Sequence, residues 1–305
     1  MANGMETILS FFPIRFREEM KKMPWQGLEE IRVRIGQPME FCYANTWRYL
    51  PKSDLRVTER DMGEMLNYIS QYSLYAYQEE IRQGYLTIEG GHRIGLVGQA
   101  VISQGQISGM HTICFLNVRI AQERRGCAEP IVPFLWQGET IYNTLILSAP
   151  GTGKTTCLRD CIRILSDGEN GRIGLKVGIV DERSEIAACH MGVPQNDLGP
   201  RCDVLDNCPK SIGMRMMLRS MSPEFLAVDE LGSREDFDVM QEAAQSGVYV
   251  IGTMHAGNIL ELLAKLQSNQ NRLEESLLRL IEIERDEGKR HYHVYDGGGQ
   301  SMWES

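Results

Sequence analysis

From Leu28 to Ile35 the chain alternates apolar and charged side chains, Leu28-Glu29-Glu30-Ile31-Arg32-Val33-Arg34-Ile35. A two-residue period predicts a strand that is half-buried or lies at an exposed sheet edge. Ahead of it, residues 5–22 carry an amphipathic helical pattern that ends before Pro24. After it come a Gly-Gln-Pro turn and a hairpin pattern over Met39–Tyr43 and Thr46–Leu50. Thr58, with acidic residues behind it, predicts the capped start of a helix to about Ile69, and a further helix is expected over Ser73–Gln83. Tyr85–Glu89 and Arg93–Ile102 flank Gly90-Gly91 as a second hairpin, and His111–Ile120 reads as one more strand. Pro130 and Pro133 mark Cys127–Gly138 as a hinge or linker.

Beyond that hinge the pattern changes. Apolar runs at Asn143–Leu147, Leu175–Val180, Glu224–Val228 and Val248–Thr253 predict strands, with helical segments over 154–165, 209–220 and 235–246. Such alternation predicts a mostly parallel sheet with helices on both faces, and ligands at the carboxyl ends of the strands. The expected organisation is a smaller α+β domain over 1–130, a linker over 131–140 and an α/β domain over 141–305. Within the last, Glu275–Arg285 and Arg290–Tyr295 flank Asp286-Glu287-Gly288 as a terminal hairpin, and the Gly297–Gly299 run predicts a frayed end.

The chemistry gathers at those strand ends. Leu145-Ile146-Leu147 runs into Ser148-Ala149-Pro150-Gly151-Thr152-Gly153-Lys154-Thr155-Thr156, and a helix follows. Strand, glycine-rich loop and helix in that order is the setting in which backbone amides and a helix start cradle a polyphosphate. Ala149, Pro150, Gly151, Thr152, Gly153, Lys154, Thr155 and Thr156 are the expected binding set for ATP. In it Lys154 reaches the β/γ oxygens and the Thr155 hydroxyl ligates Mg²⁺. The pattern usually opens with Gly and here has Ser148, which the loop tolerates if Ser148 is extended. Phe225-Leu226-Ala227-Val228-Asp229-Glu230 delivers two carboxylates to the same end, Asp229 for the Mg²⁺ shell and Glu230 to polarise an attacking water. Asp181-Glu182-Arg183-Ser184-Glu185 is either a second acidic edge of the site or a charged surface turn. At Thr253-Met254-His255-Ala256 a Thr or His can sense the γ-phosphate by hydrogen bonding.

Composition narrows the class. The 305 residues are 42% hydrophobic and 24% charged, an ordinary soluble composition. No apolar run approaches the ~18 residues of a membrane helix. Phe11 and Phe12 are mixed with Arg15, Arg17, Glu18 and Glu19, unlike a signal peptide. The 8 cysteines show no metal-finger spacing and read as the reduced thiols of a cytoplasmic protein. Residues 1–137 carry 15 Lys and Arg against 15 Asp and Glu, so the net charge of −9 lies wholly in the remainder. That balance disfavours a nucleic-acid partner.

Taken together, the motifs resemble a family. The phosphate loop, an acidic box ending in Glu185, Leu218-Arg219 ahead of Pro223, the Asp229-Glu230 pair, Arg234 and Thr253–Ala256 look like the secretion ATPases of type II and type IV systems. More closely, Val180–Ile186, Gly192–Asp197, Gly199-Pro200-Arg201 and Arg219–Pro223 resemble the stage III sporulation protein AA family of endospore-forming bacteria. The resemblance covers roughly residues 28–258 and includes Arg32–Gly36, Gly84–Gly98 and Leu116–Ile120. It implies a RecA-like P-loop ATPase core behind a smaller α+β domain, assembled as a homo-oligomer, a hexameric ring. It further implies a mother-cell cytoplasmic protein, peripheral to the engulfment membrane, that powers or assembles a secretion-like channel with membrane proteins of that channel. By the same resemblance Glu185 helps orient the attacking water and His255 is the histidine-box residue, while Arg93 and Arg119 match stretches whose arginines reach a neighbour's nucleotide.

The 190–208 segment, a long loop between strand and helix rich in Gly, Pro and Asn, is either disordered or functional. If it lies beside the phosphate site it lines a pore or a subunit contact, with Arg201 as a charge-stabilising finger. Two alternatives to the ATPase stand beside it: an ATP-bound assembly scaffold with incidental turnover, and a DNA-handling RecA-like ATPase.

Overall fold

A computed structural model of the chain describes residues 2–44, 46–52, 54–69, 84–122, 124–168, 171–268, 278–286 and 289–305. The helix expected over Ser73–Gln83 lies outside them. Two units divide the chain, Met1–Gln122 and Glu123–Ser305. No helix among the described residues is long and apolar enough to cross a membrane.

In the first unit Pro13 splits the expected single helix into α1 (Ala2–Phe11) and α2 (Ile14–Met20). A proline has no amide to bond back and its ring collides with the preceding turn, so the chain restarts there. The strands β1 (Leu28–Arg34), β2 (Glu40–Tyr43), β3 (Thr46–Tyr49), β4 (Tyr85–Thr87), β5 (Arg93–Ser103) and β6 (Gln106–Arg119) form an antiparallel sheet in the order β3-β2-β1-β6-β5-β4. The alternating strand β1 is therefore interior rather than an edge, and half-buried as its period implies, with Ile31 and Val33 fully covered. Phe11, Phe12, Phe16 and Met20 pack with Phe41, Leu116 and the buried face of α3 (Glu59–Ile69) in one core. The start of α3 is capped as predicted: Thr58 donates its amide and hydroxyl to Asp61, and the Asp61 amide returns a bond to the Thr58 hydroxyl.

The second unit is built on β9 (Asn143–Ser148), β10 (Val177–Asp181), β11 (Cys202–Asp206), β12 (Phe225–Val228), β13 (Tyr249–His255), β14 (Leu278–Asp286), β15 (Lys289–Asp296) and β16 (Ser301–Glu304). Their order is β11-β10-β12-β13-β9-β14-β15-β16. Strands β11 through β14 in that order run parallel, and β15 and β16 extend the sheet antiparallel. The helices α4 (Lys154–Asp167), α5 (Lys210–Ser220), α6 (Arg234–Gln245) and α7 (Ile259–Ser268) supply two apolar layers. One contains Cys157, Leu158 and Cys161 of α4; the other contains Met214, Met217 and Met240 of α5 and α6. Full burial on both faces explains why β9, β10 and β12 read as continuous apolar runs rather than alternating ones.

Three expectations are corrected here. Residues 131–140 are not a linker by packing: Ala128, Ile131, Val132, Leu135 and Ile141 are buried in the core of the second unit. The prolines accommodate a 3₁₀ turn over Val132–Leu135, and the small hairpin β7 (Trp136–Gln137) and β8 (Thr140–Ile141) follows. The 190–208 segment holds strand β11, whose half-exposed edge position leaves little apolar signal. The glycine run at 297–299 does not end the fold, because Asp296 accepts the amides of Gly298 and Gln300 and turns the chain into β16.

Candidate functional site

Strands β12, β13 and β9 are neighbours in one parallel register, so their carboxyl ends bring Val228, His255 and Ser148 to one edge of the sheet. Ser148 itself completes β9, in ordinary extended backbone, with its partner His255 directly across the ladder. The Cβ that glycine would lack is thus tolerated, as the sequence requires. After it the chain turns through Gly151 at φ +77° and Gly153 at φ +104°, conformations that suit glycine, and Gly153 caps α4. The amides of the loop and of the first turn of α4 are the donors such a turn presents to an anion.

Lys154 begins α4 and is buried, its Nζ donating to the Ser148 carbonyl at 3.0 Å and approaching His255 Nδ1 at 3.3 Å. Burial pulls its pKa down, and the Asp229 and Glu230 charges push it back up without fully compensating. A lysine ammonium can only donate, so Nδ1 of His255 is the acceptor and Nε2 carries the proton. That Nε2–H donates to Glu230 Oε1 at 3.1 Å. Lys154, His255 and Glu230 thereby form one chain of hydrogen bonds.

The acidic pair is held from behind. Thr155 donates its hydroxyl to Asp229 Oδ2 at 2.7 Å. Thr253, fully buried, donates to Asp229 Oδ1 and accepts the Glu230 amide at 2.9 Å. Glu230 adopts the left-handed backbone region at φ 56°, which costs a non-glycine residue about 1 kcal/mol. Its carboxylate meets Arg183 at 2.7 Å. Burial works against its ionisation, but the His255 hydrogen bond and the Arg183 and Lys210 charges outweigh that and hold its pKa below the ordinary value.

The acidic box is not a surface turn. Asp181, almost wholly buried, accepts the amides of Glu185, Ile186 and Ala187 at 2.8–2.9 Å and so shapes the turn that follows β10. Burial raises its carboxyl to about 6, the amides of Ala187 and Glu185 opposing and the nearby Asp206 and Asp229 reinforcing the rise. Arg159 of α4 ties down the same turn, donating to the carbonyls of Glu185 and Ile186 at 2.7 and 2.8 Å. Glu185 lines one cleft with Asp181, Glu182, Arg183, Lys210, Asp229 and Glu230.

The structure thus brings together Lys154, Thr155, Asp229, Glu230, Glu185 and His255, with the loop 149–156. It corrects the reading of Arg201. That residue is exposed and immediately precedes β11; its carbonyl accepts the Val177 amide at the amino end of β10, and its amide donates to Ser166 Oγ at the far end of α4. Strand direction puts it at the opposite end of the sheet from the phosphate loop, so within its own chain it is no partner of this site. Thr253 is also revised: its hydroxyl is spent on Asp229, leaving His255 as the exposed member of its box. Arg93 stacks over Tyr85 at 3.4 Å and pairs across the ladder with Arg119 in the first unit. Sequence reasoning missed Arg183, Lys210, Arg159 and Arg290 as neighbours of the site. Arg183 lies inside the Asp181–Glu185 acidic box; the others are separated from it by whole elements and carry no local signal.

A family model described as "Sporulation stage III, protein AA" matches residues 3–302. The chain belongs to that family. Stage III sporulation protein AA of Bacillus subtilis (strain 168) is 40% identical over 302 residues, 98% of this chain and 97% of that protein. Among solved structures, the Legionella pneumophila ATPase DotB aligns with a TM-score of 0.59 at 16% identity, over 88% of this chain and 76% of that one. The pilus retraction motor PilT with bound ADP aligns with a TM-score of 0.62 at 15% identity, over 95% and 83%. These likenesses are of fold: a mostly parallel α/β core with helices on both faces, preceded in the chain by a smaller α+β domain.

Proposed function

We propose that the chain binds Mg²⁺·ATP at this edge of the sheet and hydrolyses it. The observation that carries the reading is the convergence of Lys154, Thr155, Asp229 and Glu230 on one glycine-turned loop. The residues fit the group. A Cβ at Gly151 would meet no heavy atom within 4 Å, so no other part of the chain crowds that turn of the loop. The Thr155 hydroxyl and the Asp229 carboxylate are the oxygen donors that Mg²⁺ takes. When bound, Mg²⁺ supplies positive charge to the β- and γ-phosphates.

This chain's own groups do the rest. Lys154 exchanges the neutral Ser148 carbonyl for phosphate oxygens, a trade that charge favours. Glu230 accepts a proton from the attacking water, and Glu185 in the same cleft orients that water. His255, bonded to both Lys154 and Glu230, relays the presence of the γ-phosphate. By the family likeness the chain acts as a hexameric homo-oligomer, with Arg93 or Arg119 reaching a neighbour's nucleotide. It works in the mother-cell cytoplasm, peripheral to the engulfment membrane, with membrane proteins of a sporulation channel that its turnover powers or assembles. The net charge of −9 speaks against a nucleic-acid partner.

ATP at about 100 times Kd should stabilise the chain by about 2.7 kcal/mol, several degrees in Tm, and Lys154→Ala should abolish the shift. Glu230→Gln should keep the shift and lose turnover. If Glu230→Gln supports sporulation as well as the parent, the ATP-bound scaffold is the correct reading. Turnover measured against protein concentration, with mass in solution, tests the assembly.

A further inference from the structure

Next to the phosphate loop the second unit carries a cleft of about 600 Å³, lined by Arg124, Arg125, Arg285, Arg290, Tyr292 and Cys127 among others. No carboxylate is among the described residues that line it. Arg125 has a counter-charge outside the cleft, Asp197 at 2.7 Å. Among the described residues no acidic side chain pairs with Arg124 or Arg285.

Two features of this cleft run against folding economy. Arg285 and Arg290 stand directly opposite each other on the antiparallel ladder of β14 and β15, and like charges so placed repel. Arg290 is half-buried, so its guanidinium has given up water that a surface residue would keep; burial opposes its charge, and contacts with Tyr292 and Cys127 restore it. Both features are relieved by an anion seated in the cleft.

The cleft adjoins the loop. A Cβ built on Gly153 would fall 2.2 Å from Arg290 Nη2, so the guanidinium rests on the loop itself. A nucleotide in the loop has its phosphates served by amides and Lys154, while a purine and ribose are neutral. The guanidinium forks of Arg124, Arg285 and Arg290, beside the Asp197-paired Arg125, are chemistry for phosphate groups in excess of those.

We propose that this arginine cleft is a second phosphate site, contiguous with the nucleotide site and resting on that reading of the loop. Its ligand is a phosphate-rich anion, carried either as further phosphate on the ribose of the bound nucleotide or as a separate polyphosphate.

Calorimetric titration of the full chain at constant ionic strength separates the two sources. The probes are ADP, ADP bearing a 3′-phosphate, and inorganic tripolyphosphate added to ADP-saturated protein. They are applied to the parent and to Arg124→Ala/Arg285→Ala, which changes two exposed side chains outside the 149–156 loop. For ribose-borne phosphate, the 3′-phosphate tightens binding about tenfold in the parent and the gain disappears in the variant, while the Kd for ADP moves less than about threefold. For a separate anion, tripolyphosphate binds the ADP-saturated parent one to one and not the variant. The proposal is overturned if neither the gain nor the binding occurs, or if both survive unchanged in the variant. Should ADP fail to bind the parent, the nucleotide reading falls; tripolyphosphate titrated into the ADP-free parent and variant then decides the cleft alone, equal binding overturning it.

Discussion

The hydroxyl of Thr253 donates to Asp229 from the floor of the site, where no solvent reaches it. Since the same oxygen accepts the Glu230 amide, one side chain holds the Asp229 carboxylate and the backbone from which the Glu230 side chain departs. Thr253→Val keeps the shape and removes both bonds. ATP turnover should fall tenfold or more, with nucleotide affinity changed less than about threefold, because the loss is one of orientation rather than of phosphate contact. Thr253→Ser should recover most of the rate. Steady-state kinetics beside equilibrium binding reads the split.

Gly153→Ala meets two obstacles at once: a backbone at φ +104° and the Arg290 guanidinium. We expect the ATP-linked rise in Tm to vanish. Adding Arg290→Ala should restore it only in part, because the clash goes but the strained φ, worth roughly 1–3 kcal/mol, stays. Complete restoration would mean that the contact, and not the backbone, sets the requirement.

Asp181 is a carboxyl whose folded pKa, about 6, lies above its ordinary 3.8. The folded state therefore holds the proton more tightly than the unfolded chain. Its contribution to stability is greatest below pH 3.8, declines as pH rises through about 6 and is level above that. The span corresponds to on the order of 3 kcal/mol. Asp181→Asn should remove this slope, and urea unfolding of parent and variant at closely spaced pH values measures the difference.

Ser233 caps α6, accepting the Asp236 amide while Asp236 accepts the Ser233 amide in return. Ser233→Ala should cost about 1 kcal/mol of stability, with little change in turnover, since the cap supports the helix and not the carboxylates ahead of it. Chemical denaturation gives the number directly.

Much of the second unit was legible because buried parallel strands are short apolar runs, and the chemistry sits where each run stops. Asn143–Ser148, Phe225–Val228 and Tyr249–His255 announce themselves in this way. Strand β11 did not, since an edge strand of half-exposed residues has neither a run nor a clean period. The break at Pro13 and the caps at Thr58 and Ser233 are local chemistry. Only the Thr58 cap was read from the sequence; the break at Pro13 was overlooked because the amphipathic pattern continues across the proline, and the cap at Ser233 was passed over. The partners of the site were less accessible. Arg290 reaches Gly153, and Arg159 reaches Glu185, only after the sheet order is known; nothing in the spacing of those residues encodes it. The burial of Thr253 likewise depends on β13 lying between β12 and β9.

The bonds from Arg159 to the carbonyls of Glu185 and Ile186 act as a strut between α4 and the turn after β10. Any shift of that helix, whose first residues form the loop's end, drags the Glu185 backbone along with it. Occupancy of the loop and the aim of a carboxylate on a different strand are in this way geared together.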